Sequence, residues 1–289
     1  VSLLETAKQG LRTEIPKQIE DQELKQTYST TFGKSKFFSD QTFSHVLKTR
    51  AYLNKVYFKD VILSELVTIA AVSVLIENSF LKRHGDLRFR RENELQELAN
   101  IDYFTTLEDR IQKIIDYIKT IQPSQAPTFI TEDARMIGKL PFLGIDAVIT
   151  SPPYLNGTNY FRNTKIELWF LGHLKNQENL SNFRRLAVTA GINDVSQSVE
   201  KSVQNKQLKE LLAILKKKAY DKRIPKMVHD YFADMDTIFR NLKKQLNKNA
   251  VLAIDLGDSI YSGVHVKTDE ILVSILKNTK LGKGGELWV

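Results

Sequence analysis

Along the first third of the chain, apolar residues return every three or four positions, the spacing of one helical face. Residues 38–57 place Phe43, Val46, Leu47 and Leu53 in this way, behind Ser39 or Asp40 as an N-cap. Residues 61–76 form the longest apolar run, interrupted by Glu65 and closed by Glu77. It is too short and too broken to span a bilayer, so it predicts a buried helix. A basic, polar stretch follows at residues 80–93. Residues 106–121 predict an amphipathic helix, with Leu107, Ile111, Ile114, Ile115 and Ile118 on one face. "QPSQAP", residues 122–127, then breaks the pattern.

Beyond that break the period changes. Residues 128–135 (TFITEDAR), 145–151 (IDAVITS) and 250–259 (AVLAIDLGDS) predict short buried strands. Helical patterns lie at 163–174, 207–219, 225–246 and 268–277. Strands alternating with helices predict a mostly parallel α/β sheet. Ligands of such sheets sit at the carboxyl ends of the strands, which gives Asp133, Ser151 and Asp258 one rim. The expected organisation is a helical N-terminal region, 1–122, and an α/β core, 123–289, carrying a helical insertion at 180–226.

Composition narrows the chemistry. A chain of 289 residues is long enough for a large core with an appendage. A formal charge of +8 favours a polyanionic partner. Cysteine is absent, which removes disulfides, thiolate metal sites and a thiol nucleophile. His45, His84, His173, His229 and His265 are scattered without metal-ligand spacing, so no metal is expected. The first residues lack a charged segment followed by an apolar core, so neither export nor membrane attachment is expected, and the cell interior is.

One short stretch carries distinctive chemistry. The apolar residues Ala147, Val148 and Ile149 run into Ser151-Pro152-Pro153-Tyr154. Two prolines fix their own φ angles and donate no backbone hydrogen bonds. The carbonyls of Ser151 and Pro152 are therefore rigid acceptors beside a hydroxyl and an aromatic plate. Such a group suits a planar ring bearing an amine. A strand terminator or a ligand for a proline-binding module would read the same way in isolation.

In context, "DAVITSPPY" resembles the catalytic motif of the DNA amino-methyltransferases, which move a methyl group from S-adenosylmethionine to an exocyclic amine of a base. "TEDAR" resembles that family's acidic strand end, and "VLAIDLGDSIYSGVHVKTDEIL" its later strand and Gly-Asp-Ser turn. The resemblance covers roughly residues 128–281. It implies a Rossmann-like methyltransferase sheet, with Ser151, Pro152, Pro153 and Tyr154 as the catalytic residues. Ser151 and the Pro152 carbonyl would accept hydrogen bonds from the target amine, positioning its lone pair for attack on the sulfonium methyl. Tyr154 would stack on a base flipped out of double-stranded DNA. Asp133, with Ala134 and Ser151, would bind the cofactor; as a plain reading of the residues, Asp133 is equally a strand-end cap. The serine form of the motif implies cytosine N4 as the target, with adenine N6 as the alternative. Methylation at cytosine C5 needs a thiolate, which this chain lacks.

The family also carries a Phe-x-Gly-x-Gly loop that holds the methionine part of the cofactor, and no such loop precedes the motif here. "VSLLETAKQGL", residues 1–11, resembles the helix that follows that loop, so the chain is expected to begin just past it; a frayed amphipathic N-terminal helix would read the same way. "GKGGE", residues 282–286, reads as a turn. Asn156, Asn159, Tyr160 and Arg162 crowd the catalytic turn and are candidate DNA contacts. In the basic segment 180–226, Arg184, Arg185, Lys216 and Lys217 are candidate phosphate contacts. The basic stretch 82–91 is a second candidate surface. The expectation is a DNA cytosine-N4 methyltransferase, partnered functionally by a cognate restriction endonuclease. A catalytically silent DNA-binding subunit is the alternative from another class.

Overall fold

The structure, a computed structural model, describes residues 1–122, 126–131, 133–155, 160–195 and 201–278. It is a mixed α/β fold, mostly helical, with three two-stranded sheets among the described residues. The chain divides into two compact units: residues 1–127 with 160–182, and residues 128–159 with 183–289.

The first unit is built on α1 (Ser2–Glu14), α2 (Gln22–Phe32), α3 (Asp40–Tyr57) and α4 (Val61–Val74). Ser39 caps α3 by accepting the Thr42 N–H, and Asp60 caps α4 by accepting that of Leu63. The longest apolar run is only half buried. Ser64, Val67, Ala70, Ala71 and Val74 face the core, while Ile62 and Ile69 are exposed. No helix among the described residues is long and apolar enough to cross a membrane.

The basic stretch folds as a hairpin, β1 (Leu81–His84) and β2 (Asp86–Phe89), turning at Gly85 with φ of 72°. It leads through α5 (Glu92–Ala99) to α6 (Tyr103–Thr120), whose Leu107, Ile111 and Ile115 are buried as their spacing predicts.

The pattern at 163–174 predicts one helix of the α/β core. It forms instead α7 (Tyr160–Asn163) and α8 (Lys165–Phe170), which belong to the first unit. The reason is burial: Ile166, Trp169, Phe170 and Leu174 enter the same core as Tyr28, Phe37 and Leu47. The Trp169 indole N–H donates to the Leu24 carbonyl at 3.1 Å. α9 (Gln177–Leu186) follows.

In the second unit, β3 (Ile145–Thr150) pairs in parallel with β4 (Leu246–Ile254). The strand expected at 128–135 does not form among the described residues. Asp133 instead caps a 3₁₀ helix, Ala134–Lys139, by accepting the Arg135 N–H. The core of this unit is α11 (Ile224–Lys243), which packs against that 3₁₀ helix, α10 (Lys206–Lys218) and α12 (Thr268–Asn278). Its Met227, Tyr231, Phe232 and Phe239 are fully or almost fully buried.

The β3–β4 pair turns one face, including Val148, Leu252 and Ile254, toward this core. Its other face is bare, with Ile149 88% and Val251 65% exposed. Among the described residues, the strands expected to be buried are therefore covered on one side. A second hairpin, β5 (Ser259–Tyr261) and β6 (Val264–Val266), turns through Ser262 and Gly263, with φ of 52° and 74°. Positive φ at both positions is the signature of a tight two-residue hairpin turn.

Candidate active site

β3 delivers Ser151 to the carboxyl end of the parallel pair, and β4 delivers Asp255 beside it. The ladder itself enforces the match, since Thr150 pairs with Ile254 and the Asp255 N–H donates to the Thr150 carbonyl at 2.9 Å. The Ser151 hydroxyl donates to Asp255 Oδ2 at 3.3 Å, and the Tyr154 hydroxyl donates to the same oxygen at 2.6 Å. One carboxylate thus orients both hydroxyls of the motif. Pro152 and Pro153, half-buried, set the backbone that brings Tyr154 round to it.

The turn is clamped from below. Leu155 is fully buried, and its carbonyl accepts the hydroxyls of Ser259 and of Tyr261, the latter at 3.0 Å. Burial pushes the Tyr261 phenol up to about 12, so it stays a donor at physiological pH. Gly257 lies close to the Tyr154 ring, where an added Cβ would come 3.7 Å from Cγ.

Asp258, assigned to the rim from its sequence position, has a different task. It accepts the Thr268 N–H at 2.9 Å and lies 2.7 Å from His265 Nε2, tying the hairpin to the start of α12. The carboxylate that meets the Ser151 and Tyr154 hydroxyls is Asp255, three residues earlier. Its signal was in the sequence, as the first acidic residue after the apolar run of β4.

Asp133 is held by Arg135. The guanidinium reaches both carboxylate oxygens, Nη2 to Oδ2 at 2.6 Å and Nε to each oxygen at 3.0 Å, and the Arg135 N–H takes Oδ1. This clamp keeps the Asp133 carboxyl below its usual range. Arg135 continues to Asp234 at 3.3 Å, which also accepts from the Lys201 ammonium at 2.6 Å and the Thr189 N–H at 3.0 Å. Ala134, the neighbouring cofactor candidate, opens the 3₁₀ helix.

The remaining candidates scatter. Tyr160 and Arg162 fall on α7 in the first unit, with Arg162 3.9 Å from Asp86. Asn156, Asn159 and residues 282–286 lie outside the described residues. On α9, Arg184 is half-buried and Arg185 exposed; partial burial raises the Asp194 carboxyl, and the charge of Arg184 opposes that rise. Lys216 and Lys217 are exposed in the last turn of α10.

The basic stretch 82–91 is largely consumed inside its own unit. Lys82 and Arg88 pair with Glu94, Arg83 pairs with Glu167, and Arg90 donates to the carbonyls of Ser79 and Glu77. Its charge holds the hairpin in place, which weakens its case as a surface for a polyanion. No group of acidic and histidine residues placed to hold a metal ion occurs among the described residues. No family model, curated protein or solved structure matches the chain.

Proposed function

We propose that this chain provides the amine-binding side of a DNA amino-methyltransferase, acting on cytosine N4 with S-adenosylmethionine as methyl donor, in a restriction–modification setting. The observation that carries this reading is the convergence of the Ser151 and Tyr154 hydroxyls on Asp255 at the carboxyl ends of two parallel strands. A serine hydroxyl has one proton and two lone pairs. With its proton directed at Asp255, Ser151 Oγ turns its lone pairs outward, where an amine N–H can donate. The Pro152 carbonyl is the second acceptor. Two acceptors on one amine hold its N–H bonds and localise a lone pair that is otherwise shared with the ring. Tyr154 would stack on the extruded base.

S-adenosylmethionine supplies the electrophilic methyl group. The described residues do not complete a cradle for it. The contacts from Arg135 occupy both oxygens of Asp133, and no glycine loop adjoins the motif. The chain's own chemistry therefore lies on the amine side. That same occupancy of Asp133 favours a second reading, a DNA-binding subunit without catalysis. Labelled S-adenosylmethionine and duplex DNA separate the two. Protein expressed from its whole reading frame is expected to label the DNA, and Ser151→Ala to cut the rate by about 100-fold or more, as for loss of one transition-state hydrogen bond. Unlabelled DNA, or Ser151→Ala at full rate, overturns the enzymatic reading.

A further inference from the structure

α10 and α11 enclose a groove of about 510 Å³ whose floor includes Leu215 and Ala219 and whose rim carries Lys216, Lys222, Lys226 and His229. Its charge is built in two layers. Beneath the rim, Asp230 is only 1% exposed; it accepts from the Lys226 ammonium at 2.8 Å and sits 3.0 Å from His229 Nδ1. This buried carboxylate pins both side chains on the groove wall while presenting no charge of its own to solvent. At the edge, Lys216 and Lys222 have no carboxylate partner among the described residues. Asp221, the nearest acidic residue along the chain, is tied to Arg223 at 2.7 Å. The contrast with the hairpin β1–β2, whose cations are matched at home, is direct.

We propose that this groove is a docking site for the phosphate backbone of nucleic acid, with Lys216 and Lys222 as the phosphate contacts. This rests on the reading of DNA as the substrate and names where the duplex is gripped. An apolar floor accommodates sugar edges, and lysine rims contact phosphates without reading bases. The groove is also wired to the catalytic turn. The Tyr220 N–H, between the two helices, donates to Ser262 Oγ at 3.2 Å, and Ser262 is in the turn of the hairpin that grips Leu155. A duplex seated on α10 thus bears on the element that positions Ser151 and Tyr154.

The test is the salt dependence of binding to a fluorescent duplex by the full chain. Lys216→Ala with Lys222→Ala is expected to weaken binding and to reduce the slope of log affinity against log salt by about 2, near 0.9 for each lost phosphate contact. The control is Lys34→Ala with Lys36→Ala, exposed lysines of the first unit, which removes equal charge and is expected to leave the slope unchanged. A slope unchanged in the groove variant, an equal drop in the control, polyglutamate bound as tightly as the duplex, or no DNA binding by the parent chain overturns the proposal. A normal groove result with no methyl transfer leaves the docking site standing and removes the enzymatic reading instead.

Discussion

At the residue scale, the site turns on one carboxylate shared by two hydroxyls. Asp255 both fixes the direction of the Ser151 proton and stops Tyr154 from rotating away. Asp255→Asn keeps the shape but replaces a charged acceptor with a neutral amide. A hydrogen bond to a charged group contributes about 1.5–3 kcal/mol. The expected outcome is therefore a fall in methyl transfer of about ten- to a hundredfold, with the thermal midpoint nearly unchanged because the group is exposed. Equal activity in the variant removes Asp255 from the mechanism. Ser151 and Tyr154 were legible in the sequence because prolines punctuate a strand in a way few other residues do. Asp255 was less so. An acidic residue three positions later, in a Gly-Asp-Ser turn, carried the stronger local signal, and only the parallel register of β3 and β4 decides between them.

In the first unit, α3 and α6 followed from apolar spacing and, for α3, from the Ser39 cap, which are local features; the structure adds caps at Asp60 and Asp102. Strands at the element scale were harder. Residues 128–135 look like a strand by composition, but a strand exists only with a neighbour to pair with, and pairing is not written in ten residues. What this segment does is lead into the 3₁₀ helix, whose Arg135 donates to the Leu186 carbonyl at 2.7 Å and enters a charged cluster with Asp234 and Lys201. Asp234 is the hub of that cluster, 4% exposed and contacted by Arg135, Lys201 and the Thr189 backbone. Asp234→Ala removes the carboxylate partner of Lys201 and one of the two carboxylates that hold Arg135, which keeps Asp133, a loss of about 1.5–3 kcal/mol. Urea unfolding followed by the far-ultraviolet signal of the second unit is expected to shift to lower denaturant by that amount. A shift under about 1 kcal/mol would mean that the cluster is solvated and contributes little.

At the scale of the whole molecule, the chain holds two cores that the linear order of the sequence disguises. Residues 160–182 follow the Ser151–Tyr154 turn along the chain, yet Trp169 and its neighbours complete the aromatic core of the first unit. The expected boundary at residue 122, drawn from the "QPSQAP" break, carries no sign of this return, because periodicity reports which face is buried and not against what. The cationic balance behaves similarly: a charge of +8 says that a polyanion is favoured, while the pairing of individual residues says where. The hairpin near residue 85 spends its charge internally, and the α10–α11 groove keeps its charge at the rim. The central claim is that Ser151, Pro152 and Tyr154 present an exocyclic amine for methylation. Mass analysis of nucleosides tests it most directly, using DNA from a host without methylation that expresses the whole reading frame. The expected result is N4-methylcytosine, absent when Ser151 is replaced by Ala. The contradicting result is unmodified DNA, or a methylated base whose amount does not change with Ser151→Ala.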